Sequence, residues 1–303
     1  MTTMTPSATS ATPIDTVCII GLGLIGGSLA LALKQAGWAR RIIGAGRHLK
    51  TLQQSLKTGL VDQVTDDYTK AVAEADLVVV SVPLGAMAEV FRQIKPALKT
   101  TAVVTDAGSA KASVVAAVQQ VYGQVPAWFV PGHPIAGSER SGAEAAKADL
   151  YQRHRVILTP LPQTDPQAIH VVTEMWQAAG AFTETLTVEQ HDRVLAATSH
   201  LPHIIAYSLV DSLAELDSVS KIFRYAAGGF KDFTRIASSD PVMWRDICLH
   251  NRDAVLAVLQ RFDDDLQQLR QAIQQSEAET LLDTFSHAKQ VRDRFIHCAD
   301  EAD

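Results

Sequence analysis

Residues 16–37 read TVCIIGLGLIGGSLALALKQAG, a strand, a phosphate-binding turn and a helix in succession, and no other stretch constrains the fold as much. Val17, Cys18, Ile19 and Ile20 form the unbroken apolar run of a strand buried on both faces. Gly21-Leu22-Gly23-Leu24-Ile25-Gly26 follows as G-x-G-x-x-G, and good helix formers then run to Lys34, closed by Gly37. In this setting Gly21 makes the tight turn, Gly23 admits a pyrophosphate close to the backbone, and Gly26 lets helix and strand pack. Unpaired N–H groups of the first helical turn, at residues such as Leu24 and Ile25, would hold the phosphate charge with the helix dipole. A glycine-rich turn without a ligand would need neither the strand before it nor the helix behind it.

With 303 residues the chain has length for two domains. Strand-like apolar runs recur at 41–47, 76–83, 102–106, 128–134, 155–159 and 182–186, with helical patterns at 111–121 and 167–179. That alternation predicts a doubly wound α/β domain of Rossmann type over residues 14–187, behind a disordered tail at 1–13. From Val188 the pattern turns to long stretches with apolar residues at helical spacing, so residues 188–303 are expected to be all helical. These helices carry much apolar surface, and a homodimer through this domain is expected.

The 27 Lys and Arg against 33 Asp and Glu give a net charge of −6, which favours neither nucleic acid nor an anionic membrane. An anionic substrate would then need locally placed cations. Cys18, Cys248 and Cys298 stand far apart with no C-x-x-C pair, and Cys18 is expected in the core. Residues 1–13 lack the features of a secretory signal, and no stretch suits a membrane span, so a soluble cytoplasmic protein is expected.

Several segments could carry chemistry. Where a dinucleotide site usually offers an acid to the ribose, about 20 residues past the glycines, the chain has Gly46 and Arg47. A missing carboxylate beside an arginine suits a 2′-phosphate and points to NADP over NAD. Ser81 and Pro83 stand at the carboxyl end of a predicted strand, the side where α/β sheets bind ligands. The segment GHPIAGSE presents His133 at another such end, and a neutral histidine there is suited to take a proton. Near the start of the helical region lie His191, Asp192, His200 and His203. His200 and His203 could share a helix face, but no third ligand is evident and no metal is expected. The segment GGFKDFTRIASSDPVMWR combines Lys231, Arg235 and Trp244 with flexible glycines, suited to a carboxylate beside an apolar ring.

Together, GLGLIGGS, TDAGSAK, GHPIAGSE, SHLPH and GGFKDFTRIASSDPVMWRD make the chain resemble the prephenate and arogenate dehydrogenases of tyrosine biosynthesis. The resemblance implies that His133 is the catalytic base, that Ser109 supports it and the substrate hydroxyl, and that Arg235 binds a substrate carboxylate. It places His191, Asp192, Glu139 and Trp244 at or near the site, and it implies a helical dimerisation domain. Prephenate and arogenate, NADP and NAD, all remain open at this stage. So do another two-domain dehydrogenase and a sensor that binds NADP(H) without turnover.

Overall fold

The computed structural model describes residues 14–216 and 224–300, so the tail expected at 1–13 lies outside the described residues. Two compact units divide the chain after Arg252. The first opens with β1 (Ile14–Ile20), α1 (Leu24–Ala36), β2 (Ala39–Ala45), α2 (Leu49–Lys57), β3 (Gln63–Thr65) and α3 (Tyr68–Ala73). It continues through β4 (Leu77–Val80), α4 (Met87–Ile94), β5 (Val103–Asp106), α5 (Lys111–Tyr122) and β6 (Phe129–Val130).

These six strands are parallel and lie in the order β3-β2-β1-β4-β5-β6. This is the doubly wound, Rossmann-type order, whose reversal between β1 and β4 leaves a ligand crevice at the carboxyl ends of the strands. Side-chain alternation decides how the sheet is covered. Val17, Ile19, Leu77 and Val79 join Leu29 and Leu33 of α1 in one core cluster. Cys18, Ile20, Val78 and Val80 join Phe91 of α4 and Val114 of α5 in the other. Both faces are therefore dry, which is why these strands read as continuous apolar runs.

The later strands depart from a single continuous sheet. β7 (Gly132–Pro134), β8 (Arg155–Leu158) and β9 (Phe182–Thr185), with α6 (Pro166–Ala178) before the last, form a separate three-stranded sheet. β7 runs antiparallel to β8, and β8 parallel to β9. The run at 128–134 is thus two strands in two sheets. Pro131, with no N–H to continue a ladder, stands where the chain changes sheet. His133 follows two residues later.

α7 (Val188–Leu195) starts at a capping box of Thr187 and Gln190. A π turn, Ala196–His200, leads into α8 (Leu201–Ala214). Pro202 has no N–H to return to the preceding turn, and the widened π geometry accommodates that loss. α9 (Gly228–Thr234) and α10 (Pro241–His250) follow, with Trp244 and Ile247 of α10 packed in the second core cluster. α11 (Arg252–Gln275) and α12 (Ala278–Asp300) make up the second unit, apart from Arg252, and Ser276 turns between them with φ 54°. Among the described residues every element after Val188 is helical. No described helix is long and apolar enough to cross a membrane.

Candidate active site

Because the strands are parallel, the turns after β1, β2, β4, β5 and β6 all lie at one edge of the sheet. Gly21 has φ +99°, and a Cβ there would collide with the Ser81 carbonyl; a Cβ on Gly26 would collide with Gly21. Those two glycines are needed by the fold itself. Gly23 differs, since a Cβ there would meet nothing within 4 Å. It caps α1, whose first turn has no side-chain cap and no acidic residue. An open approach to uncapped helical N–H groups fits a dinucleotide pyrophosphate. Ser81 is tied to β1 by its N–H, which donates to Ile20 O at 2.8 Å, and Pro83 opens the short turn that follows. Gly46 follows β2, and Arg47 beyond it is exposed.

At the same edge a buried chain of groups converges on His133. His133 Nδ1 lies 2.8 Å from His191 Nε2, and His191 Nδ1 lies 2.7 Å from Asp192 Oδ1. Asp192 Oδ1 also accepts the Lys111 N–H at 2.7 Å, and its Oδ2 accepts the Ala112 N–H at 2.9 Å, so the N-terminus of α5 holds this carboxylate. Burial opposes the Asp192 charge, but these donors outweigh it and hold the carboxyl below its usual value. Burial lowers His191, opposed by Asp192. Burial, with the repulsion that a protonated His191, Lys111 or His200 would exert, holds His133 well below the ordinary histidine value, so its ring is neutral at neutral pH. With His191 also neutral, its Nδ1–H donates to Asp192 and its Nε2 accepts from His133 Nδ1–H. His133 Nε2 is then left with a free lone pair, the arrangement a proton acceptor needs.

The other sequence candidates take distinct places. His191 is fully buried with both ring nitrogens bonded inside the protein, so it backs His133 rather than forming an open wall. His200 is also buried, lowered to about 4 by burial, and its Nδ1 faces Asn251 Nδ2 at 3.1 Å. The same Asn251 amide donates to the Asp192 carbonyl at 2.8 Å. His203, half-buried, stacks on Trp244 with ring centres 3.6 Å apart, and its Nδ1 is held by the Ser199 carbonyl at 2.9 Å. Arg235 pairs with Glu139. Lys231 and Arg235 line a hollow of about 410 Å³ with Phe230 and Thr234. Ser109, partly buried, lies in the turn between β5 and α5. Among the described residues no three metal-ligating side chains are placed to hold an ion.

Sequence reasoning missed Asp106, Lys111 and Asn251. The signal for the first two was an acid and a base five residues apart inside an otherwise uncharged stretch, 102–118. Asn251 carries no comparable signal.

The strand order, the open glycine turn and a neutral histidine at the same sheet edge define an NAD(P)-dependent oxidoreductase. A family model described as the prephenate dehydrogenase nucleotide-binding domain matches residues 29–185, and one described as the prephenate dehydrogenase dimerization domain matches residues 187–287. The chain is 41% identical over 281 residues to the cyclohexadienyl dehydrogenase of Zymomonas mobilis, covering 91% of this chain and 94% of that one. It is 39% identical to the prephenate dehydrogenase of Bacillus subtilis, covering 92% and 76%. The crystal structure of A. aeolicus prephenate dehydrogenase in complex with hydroxyphenyl propionate and NAD+ superposes with a TM-score of 0.87 at 34% identity, covering 94% and 99%. The chain belongs to the prephenate dehydrogenase family.

Proposed function

We propose that the protein oxidatively decarboxylates prephenate or arogenate, giving 4-hydroxyphenylpyruvate or tyrosine. The observation that carries this reading is the His133–His191–Asp192 chain at the edge of the sheet that bears the open Gly23 turn. Bound NAD(P) supplies the hydride acceptor. His133 Nε2 takes the proton of the ring hydroxyl as the ring carbon loses its hydride, and Ser109 supports that hydroxyl. The new ring carbonyl draws electrons from the breaking bond to the carboxylate. Carbon dioxide leaves, the ring becomes aromatic, and the phenolate oxygen takes back the proton from His133 Nε2. The substrate supplies most of the driving force, and the protein supplies position and one base. Arg235, with Lys231 near it, meets a substrate carboxylate once Glu139 has released the guanidinium. His203 and Trp244 form an apolar stacked wall for the ring.

Residues 14–187 serve the cofactor in this reading, and residues 188–303 serve substrate and dimer. The exposed Ile273, Leu282, Phe285 and Val291 support a homodimer through the helices. Gly46 and exposed Arg47 support a preference for NADP. The test offers purified protein prephenate and arogenate, each with NADP and with NAD, and follows formation of reduced cofactor. Turnover with either substrate supports the reading, and the four rates assign side chain and cofactor. A clear NAD preference overturns the role given to Arg47. No turnover with cofactor binding intact would leave a sensor or another dehydrogenase.

A further inference from the structure

The most deeply buried cation among the described residues borders the proton path above without carrying a proton along it. Lys111 is wholly buried, and its Nζ lies 2.5 Å from Asp106 Oδ2 and 2.5 Å from the Gly132 carbonyl. Asp106 is also fully buried. Its Oδ2 accepts the Gly108 N–H at 2.7 Å and its Oδ1 accepts the Gly132 N–H at 3.2 Å. Both oxygens act as acceptors, so Asp106 is a carboxylate. Burial lowers the proton affinity of Lys111, but the Asp106 charge and hydrogen bond, with the charge of Asp192, oppose that loss and favour the ammonium. Gly132 is therefore held at its N–H by one charge and at its carbonyl by the other, directly before His133.

These bonds close a circuit. From Lys111 Nζ it runs to Gly132, along the chain to His133, across to His191, on to Asp192, and back to the Lys111 N–H. One residue thus anchors both the strand that carries His133 and the carboxylate that fixes its hydrogen bond. We propose that Lys111 is a positioning residue for His133, its buried ammonium fixing the Gly132 backbone directly before the imidazole. The inference rests on His133 being the base of the proposed reaction.

The charged and titratable groups around His133 give the sign. Lys111 on α5 and His200 at the π turn disfavour a proton on His133, as does His191 on α7. Asp192 on α7 and Asp106 on β5 are carboxylates already tied to donors. Arg155 on the neighbouring β8 is exposed and paired with Glu184. Removing the ammonium takes away a repulsion and leaves the Asp106 carboxylate unpaired, and both changes favour the imidazolium.

The experiment follows the imidazole resonances of histidine-labelled protein through a pH titration, with the His133 signal assigned by its loss in His133→Asn. In the wild type this signal should stay at its neutral position well below the ordinary histidine range. In Lys111→Met, and in Lys111→Gln, which keeps a donor for the Gly132 carbonyl, its proton affinity should rise about tenfold or more, bringing titration into range. Lys111→Arg keeps the charge and should titrate as the wild type does. The acid limb of kcat/KM should move to higher pH in the two neutral variants only. A His133 signal that stays neutral in the folded neutral variants, or that shifts as far in Lys111→Arg, overturns the inference. Should neither neutral variant fold, Lys111→Arg decides alone: a wild-type titration with lowered kcat supports the inference, and any other combination overturns it. The titration needs no substrate, so a wild type without turnover would defeat the proposed reaction and leave this result readable.

Discussion

His133 Nδ1 and His191 Nε2 stand 2.8 Å apart, and His191 has its other nitrogen on Asp192. Two imidazoles facing each other across one hydrogen bond need one donor and one acceptor, and the Asp192 carboxylate decides which is which. A carboxylate can only accept, so His191 must donate to it and accept from His133. The proton arrangement at the reacting nitrogen is thus set two residues away from it.

His133→Asn removes the lone pair that takes the substrate proton. It should lower kcat by about 10²- to 10⁴-fold with cofactor affinity unchanged. Asp192→Asn should act through the same chain, because an amide cannot accept from His191, Lys111 and Ala112 together without turning its NH2 toward one of their N–H groups. We expect kcat to drop about 10- to 100-fold, with a stability loss of about 1–3 kcal/mol for the donor left unmet. Steady-state kinetics with calorimetry separates the two effects. Wild-type turnover in either variant would remove that residue from the proton path.

The same buried rings make stability depend on pH. His200 falls from 6.5 unfolded to about 4 in the fold, so the unfolded chain binds more protons between those values. Its contribution is complete above pH 6.5 and is lost as pH falls toward 4, with a limit on the order of 3 kcal/mol. His133 and His191 are lowered too and act in the same direction. Asp192, lowered from 3.8, adds a further loss only below that value. The melting temperature should therefore drop between pH 6.5 and 4.5, and His200→Asn should flatten the slope. A flat wild-type profile across that interval would contradict the buried neutral histidines.

Arg235 and Glu139 pair with each other, while Arg235 itself is well exposed. A substrate carboxylate must compete with Glu139 for the guanidinium. Arg235→Gln should raise KM by about 10- to 100-fold with a smaller change in kcat, the pattern of a contact made equally in ground and transition states. Glu139→Gln should move KM for a keto-acid substrate the other way, by only about two- to fivefold, because exposed ion pairs contribute about 1 kcal/mol or less. An unchanged KM in Arg235→Gln would exclude the carboxylate contact.

The sequence made local features legible and left long-range partnerships hidden. β1, the glycine turn and α1 follow from neighbouring residues alone, through an apolar run, three spaced glycines and a C-terminal glycine. Gly37 indeed takes φ 62° and bonds back into the last turn of α1. The split at Pro131 was not legible, since the choice of sheet depends on β8, which lies far along the chain. Among four candidates at 191–203, spacing could not say that His191 and His200 lie inside while His203 meets Trp244. Asp106 and Lys111 read as an ordinary strand end and helix start. Only the fold brings the Gly132 backbone between them.

Gly21 and Gly23 belong to one motif but answer to different constraints, and alanine separates them. At Gly21 the positive φ alone disfavours a side chain by about 1–3 kcal/mol, and the added Cβ would strike the Ser81 carbonyl, which is backbone and cannot swing away. Gly21→Ala should therefore lower the melting temperature before any cofactor is added. Gly23 has φ −86°, a value any residue adopts, and a Cβ there enters open space. Gly23→Ala should keep the wild-type melting temperature, yet weaken cofactor binding about tenfold or more, because the methyl group occupies the approach to the uncapped N–H groups of α1. Calorimetry of the cofactor-free variants and a fluorescence titration with reduced cofactor measure the two quantities. If Gly23→Ala binds cofactor as tightly as the wild type, the pyrophosphate does not lie over this turn. If it instead melts as early as Gly21→Ala, the space above Gly23 is closed in solution.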